Sequence, residues 1–134
     1  MAMQMKDVLS RVDEKRLELA TRVKIKSLKT KSPKQTNGVF GLAEAKTKSL
    51  EKDKWSVYDT TIEFYPKNKV ILSCSCPDFM YRWEYALSKR GAARIVYGNG
   101  DPPDEANPKL RPGCCKHLVA LHDHLIEKGK ISAS

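Results

Sequence analysis

No stretch of this sequence approaches the ~18 to 20 consecutive apolar residues that cross a bilayer, so no membrane span is expected. The first residues, MAMQMKDVLSRVDEKR, lack the apolar core and small-residue cleavage site of a secretory signal. A chain that is not secreted, kept where thiols stay reduced, is therefore expected. Internal repeats and low-complexity tracts are missing. So are a glycine-rich phosphate loop, a nucleophile–base set and carboxylates paired at helical spacing. These absences point away from an enzyme and from a small-molecule substrate. A length of 134 residues suits one domain with a small core.

Positive charge is plentiful and unevenly placed. The formal net charge is +9. Residues 1–54 carry fourteen Lys/Arg against seven Asp/Glu, and residues 55–134 carry eleven against nine. Arg22, Lys24, Lys26, Lys29, Lys31 and Lys34 lie within thirteen residues without an intervening acid. Such a run is an electrostatic footprint for phosphate. It is also compatible with a solvated charged tail, or with an acidic protein partner. Val23, Ile25 and Leu28, set between the cations, form an apolar stripe that a protein neighbour could cover.

Periodicity divides the chain at about residue 54. Residues 1–54 read as a basic N-terminal arm with an amphipathic helix over 5–21, because Met5, Val8, Leu9 and Val12 recur at helical spacing. Val23 and Ile25 alternate with Arg22, Lys24 and Lys26 in strand fashion. Residues 32–38 read as a loop. Residues 39–54 give mixed signals, with a short helix from Leu42 as one option. From Trp55 the sequence becomes aromatic and β-branched. WSVYDTTIEFY, a PKNK turn and VILSC predict a β-hairpin. A helix follows, opened by Pro77, carrying Phe79, Trp83, Ala86 and Leu87, and ended by Gly91. Residues 98–113 form a proline- and glycine-rich insert. The last helix spans about 115–128, with Leu118, Leu121 and Leu125 on one face and Gly129 as its cap. The expected core is Ile62, Phe64, Val70, Leu72, Phe79, Trp83, Leu87, Leu118, Leu121 and Leu125.

The four cysteines carry the chemistry. Cys74 and Cys76 stand one residue apart at the end of the second hairpin strand. Cys115 and His117 open the last helix. Together they make C-x-C, 38 intervening residues, and C-x-H. Four N or S donors are what a tetrahedral Zn²⁺ site takes, and a filled set of four argues for a structural metal. Disulfides and unrelated buried thiols are the alternatives, and the absent secretory signal weighs against disulfides. Cys114 could replace Cys115, since it stands three residues before His117, or it could pack as a buried thiol. His122 and His124 read as surface or partly packed side chains. Asp78 reads as a first-turn acid facing the helix dipole. Asp101, Asp104 and Glu105 read as a solvated loop.

This arrangement resembles the SWIM zinc-finger family, whose motif C-x-C-x(n)-C-x-H sits on a ββα-like unit. The matching residues are Cys74, Cys76, Cys115 and His117, with flanks CSCPDF and CKHLVAL. The resemblance covers about residues 55–128, and the CSCPDFMYRWEYAL stretch is similar to small stand-alone SWIM proteins of tailed bacteriophages. It implies an α+β fold, in which a zinc-stapled β-hairpin and helices at 55–134 follow a helical, basic extension at 1–54. SWIM domains are associated with DNA binding or protein–protein contacts. Two roles are therefore expected, and neither is enzymatic. One is docking, through the basic and apolar arm, among protein neighbours of a virion or nucleoprotein assembly. The other is nucleic-acid binding, with the arm on phosphates. The setting implied is a host cytoplasm or a virion.

Overall fold

A computed structural model of the chain describes residues 3–31, 41–65, 69–98, 100, 103 and 106–128. Lys34, the expected loop at 32–38, the turn at 66–68, Asp101, Asp104, Glu105 and Gly129 lie outside the described residues. Among the described residues no helix is long and apolar enough to cross a membrane.

The architecture is α+β, and its sheet is larger than a hairpin. Strands β1 (Met3–Gln4), β2 (Lys24–Lys31), β3 (Gly41–Glu51), β4 (Lys54–Tyr65) and β5 (Lys69–Cys74) form one antiparallel sheet in the order β1-β5-β4-β3-β2. Helices α1 (Met5–Leu9) and α2 (Glu14–Ala20) carry the chain from one edge of the sheet to the other. A π-helical turn at Phe79–Trp83 leads into α3 (Glu84–Ser88). Helix α4 (Lys116–Glu127) packs across β2, β3, β4 and β5 and against α2. The expected boundary at residue 54 falls at the β3–β4 turn, where Lys52 and Asp53 take positive φ of 48° and 67°.

The amphipathic pattern at 5–21 proves to be two helices. The Ser10 hydroxyl donates to the Asp7 carbonyl at 2.8 Å at the end of α1. Asp13 then caps α2, accepting from the Arg16 amide at 3.3 Å. The inward residues are nevertheless the expected ones: Met5, Val8 and Val12 are all buried.

Residues 41–51 form a strand, not a helix. Gly41, Ala43, Ala45, Thr47 and Ser49 point to the buried side, while Glu44, Lys46 and Leu50 are exposed. Alternation is perfect, but small inward side chains gave it no hydrophobic amplitude. Those small residues leave room for α4, whose His117, Leu118, Leu121 and Leu125 are buried.

The arm's apolar stripe is used internally. The pairing of β2 with β3 shifts register between Ile25 and Ser27. This bulge at Lys26 brings Ile25 opposite Thr47 and Leu28 opposite Ala45, both on the buried side. Without it, residues three apart on a strand would face opposite ways. Val23, Ile25 and Leu28 pack against the core. Lys24, Lys26, Lys29 and Lys31 remain exposed on this edge strand, where lysines also discourage edge-to-edge pairing.

The described part of the 98–113 insert is pinned by buried polar groups. Glu84 accepts from the amides of Tyr97 and Gly98 at 3.1 and 2.8 Å. Asn107 bridges the Arg82 and Arg111 backbones. The expected core residues are buried, except Phe64, which packs against the core while partly exposed.

Candidate metal centre

Strand geometry places the first two candidate ligands. Cys74 ends β5 opposite Thr60, with its side chain on the inner face behind Leu72 and Val70. Pairing with β4 continues past it: the Ser75 amide donates to the Asp59 carbonyl, and the Asp59 amide to the Ser75 hydroxyl, at 3.0 and 2.9 Å. Cys76 follows at a spacing of two and so returns to the same face. The helix supplies the other pair. Cys115 is the N-cap residue of α4 in an extended conformation, and His117 lies in its first turn.

The four ligand atoms all lie within 4.8 Å of one another, and all four residues are buried. A tetrahedron with metal–sulfur bonds of ~2.3 Å sets its ligand atoms about 3.8 Å apart. These four residues could therefore hold a metal ion. The imidazole points the same way. His117 Nε2 lies 3.0 Å from Ser49 Oγ, whereas its Nδ1 is buried without a hydrogen-bond partner. Such an atom is costly unless something completes it. A cation bound through Nδ1 would leave Nε2 carrying its hydrogen toward Ser49, which fixes the tautomer.

Polar groups reach two of the sulfurs. Thr60 Oγ1 lies 3.5 Å from Cys74 Sγ and 2.9 Å from Thr47 Oγ1, forming a short polar chain under the site. The Phe79 amide donates to Cys76 Sγ at 3.4 Å. The N-terminus of α4 adds its positive end at Cys115. Burial opposes ionisation of Cys74, but hydrogen bonds from Cys115, Cys76 and Thr60 hold its thiol well below the usual range. At Cys76 the bond with Cys115 pulls downward, yet the bond with Cys74 and burial together raise it. Cys115 is pushed well up by burial and by both neighbours. Three thiols packed so closely oppose one another's ionisation. A divalent cation is what allows all three to ionise.

A basic cleft of about 360 Å³ opens beside Cys76 and His117, lined also by Lys15, Arg16, Asp78 and Lys116. Its cations suit the net −1 of three thiolates around a dication. Arg16 reaches across from α2 and grips Asp78 with two bonds, at 2.8 and 2.6 Å. Its guanidinium also lies 5.2 Å from the Trp83 ring centroid. Asp78 thus makes no cap bond to the following turn; it ties the N-terminal helix to the cysteine knuckle.

Cys114 lies outside the ligand cluster. It is fully buried, and burial, followed by the nearby negative charges of Cys74 and Asp78, pushes its thiol strongly up. His122 is buried rather than at the surface, and His124 is half-buried. Among the basic residues, Arg22 pairs with Glu18 at 3.0 Å. Lys24, Lys26, Lys29 and Lys31 share β2 and lie outside the Cys/His cluster, and Lys34 lies outside the described residues. Nothing in the local sequence pattern marks Ser49, Thr60 or Arg16 as supports of the site. Their roles depend on strand register and on a contact 62 residues apart.

No protein-family model matches the chain, and no curated protein and no solved structure matches it either.

Proposed function

We propose that this protein is a non-enzymatic, zinc-stapled module of the SWIM type, whose basic sheet surface binds nucleic acid. Zinc is the metal that suits three thiolates and one imidazole in a closed tetrahedron. With four protein ligands the ion keeps no position for substrate, so its role is to join β5 to α4. The motif residues Cys74, Cys76, Cys115 and His117 support the SWIM reading, as does the resemblance of the CSCPDF and CKHL flanks.

One observation carries the nucleic-acid reading. Lys24, Lys26, Lys29 and Lys31 are exposed on β2, and among the described residues no carboxylate forms an ion pair with them. The competing reading, docking into a phage-type protein assembly through the arm, relied on Val23, Ile25 and Leu28 as a free stripe. Those residues pack against the protein's own core.

Salt dependence tests the proposal. Each neutralised phosphate gives a log–log slope of about −0.9 on duplex and −0.7 on single strands. Four lysines therefore predict a slope of about −3 to −4 for binding to DNA. Changing all four to Gln should flatten it while leaving zinc content and melting unchanged. Wild-type protein that binds neither single- nor double-stranded DNA at low salt would refute the proposal.

A further inference from the structure

The outer face of the sheet carries an exposed aromatic platform. Trp55 is 49 % exposed, with Leu50 and Val57 beside it at 56 % and 43 %. Strand register puts them together: Leu50 lies opposite Trp55, Lys48 opposite Val57, and Lys24 opposite Lys48. The ammonium groups of Lys24 and Lys48 lie 5.4 and 5.2 Å from the Trp55 ring centroid. Lys52 and Lys54, with Asp53, extend the charge around the adjacent turn. Further along the same face, a cleft is lined by Lys29, Lys46, Asp59 and Tyr97. Asp59 is about 13 Å from Trp55 along β4 at ordinary strand rise.

An indole flanked by two ammonium groups has a recognisable partner. At an exposed site each cation–π contact is weak and exchanges readily with solvent or ligand. A nucleobase can replace one ammonium over the ring and stack, and the displaced lysine can meet the adjoining phosphate. Stacking needs an unpaired base, because bases within a duplex present edges and not faces. Leu50 and Val57 widen the platform without offering hydrogen bonds to base edges. We infer that Trp55, with Lys24 and Lys48, forms a sequence-tolerant stacking site for single-stranded nucleic acid on the outer face of β2–β3–β4. The inference rests on the nucleic-acid reading above and narrows it to single strands. An anionic membrane surface is the rival partner for tryptophan among lysines. Three apolar side chains on a sheet face are a small wedge for a bilayer, so the strand is favoured.

The zinc-loaded full chain is titrated with labelled oligo(dT), with a DNA duplex, and with phosphatidylserine vesicles. Fluorescence anisotropy gives affinity, and intrinsic emission reports on Trp55, because Trp83 is buried. Oligo(dT) should quench wild-type emission. Trp55→Ala should abolish that quenching and weaken oligo(dT) binding about five- to a hundredfold. Trp55→Phe, which keeps a π face, should restore part of the affinity, and duplex binding should be unchanged in both variants. Zinc content and melting temperature of each variant confirm that the fold is intact. Salt-steep, lysine-dependent DNA binding that ignores Trp55→Ala would overturn this inference and spare the broader proposal. No binding to any nucleic acid would remove both. Emission that responds to vesicles and not to oligo(dT) would assign the platform to a membrane surface instead.

Discussion

On one side of β3, Gly41, Ala43, Ala45, Thr47 and Ser49 are buried beneath α4; on the other, Glu44, Lys46 and Leu50 meet solvent. The inner face is small, then hydroxylated toward the cysteine end, and each polar side chain there has an assigned partner. Ser49 meets His117, and Thr47 meets Thr60, which in turn meets Cys74. The outer face of the sheet is long-chained, cationic and aromatic, and its contacts are solvent-exposed: Lys46 pairs with Asp59, and Lys24 and Lys48 lie over Trp55. One strand thus divides its positions between lining the candidate metal site and presenting a surface. Inner substitutions should register in metal content and stability, whereas outer ones should register in binding alone.

The sharpest way to break the inner face is to remove a thiolate. Cys76→Ser should lose zinc and cooperative melting together, since metal binding in small sites contributes folding energy on the order of 10 kcal/mol. Elemental analysis and calorimetry on protein kept reduced check this. Cys114→Ser should keep one metal per chain, because Cys114 stands outside the cluster.

A smaller effect is expected one layer further out. Ser49→Ala removes the group that faces His117 Nε2. Loss of such a support lowers metal affinity about 10- to 100-fold, measurable by competition with a chromophoric chelator. The secondary structure should persist, which separates positioning from folding.

Packing without metal chemistry comes next. A Cβ added at Gly113 would sit 2.8 Å from the Trp83 ring, closer than atoms tolerate. Gly113→Ala should cost about 1–3 kcal/mol by overpacking. Denaturant unfolding of the metal-loaded protein should show a lower midpoint at unchanged zinc stoichiometry.

The smallest effect concerns pH. Burial lowers the pKa of His122 below its usual 6.5, against the pull of Asp123. The unfolded chain therefore takes up that proton more readily than the folded one. Stability should be full above pH 6.5 and decline as pH falls through the ordinary histidine range toward the lowered folded value. Acid also displaces metal from thiolates, so the comparison is between wild type and His122→Asn. The variant should show a shallower decline in melting temperature over that interval.

Parts of this molecule could be read directly, and the reasons are local. The cluster of Cys74, Cys76, Cys115 and His117 was visible because two strand positions at i, i+2 and two residues at a helix start need no long-range information. The β4–β5 hairpin and α4 were visible because their buried residues are large. β3 was hidden because glycine, alanine, threonine and serine mark its buried face weakly, and alanine suits helices as well. The role of Ile25 and Leu28 was hidden by the bulge at Lys26, which changes the strand period once. A regular strand would turn Leu28 away from the face of Val23 and Ile25, so only the observed register places all three against the core. Trp55 was read as a strand residue, but only the register with Leu50, Lys48 and Lys24 reveals the platform.

The two-residue strand β1 has a consequence for the order of assembly. Gln4 pairs with Lys69, 65 residues along the chain, while β3, β4 and β5 meet through sequence neighbours. The central meander can zip up by short loop closures. The β1 edge must await a long one, whose entropy is lost for a very short ladder. β1 should therefore dock late in folding and open first in the native state. Amide exchange at Met3 and Gln4 should outrun that at Leu72 or Ile62. When β1 lifts, the β5 edge beside Val70 loses its cover, and a transient sticky edge appears on the strand that ends in Cys74.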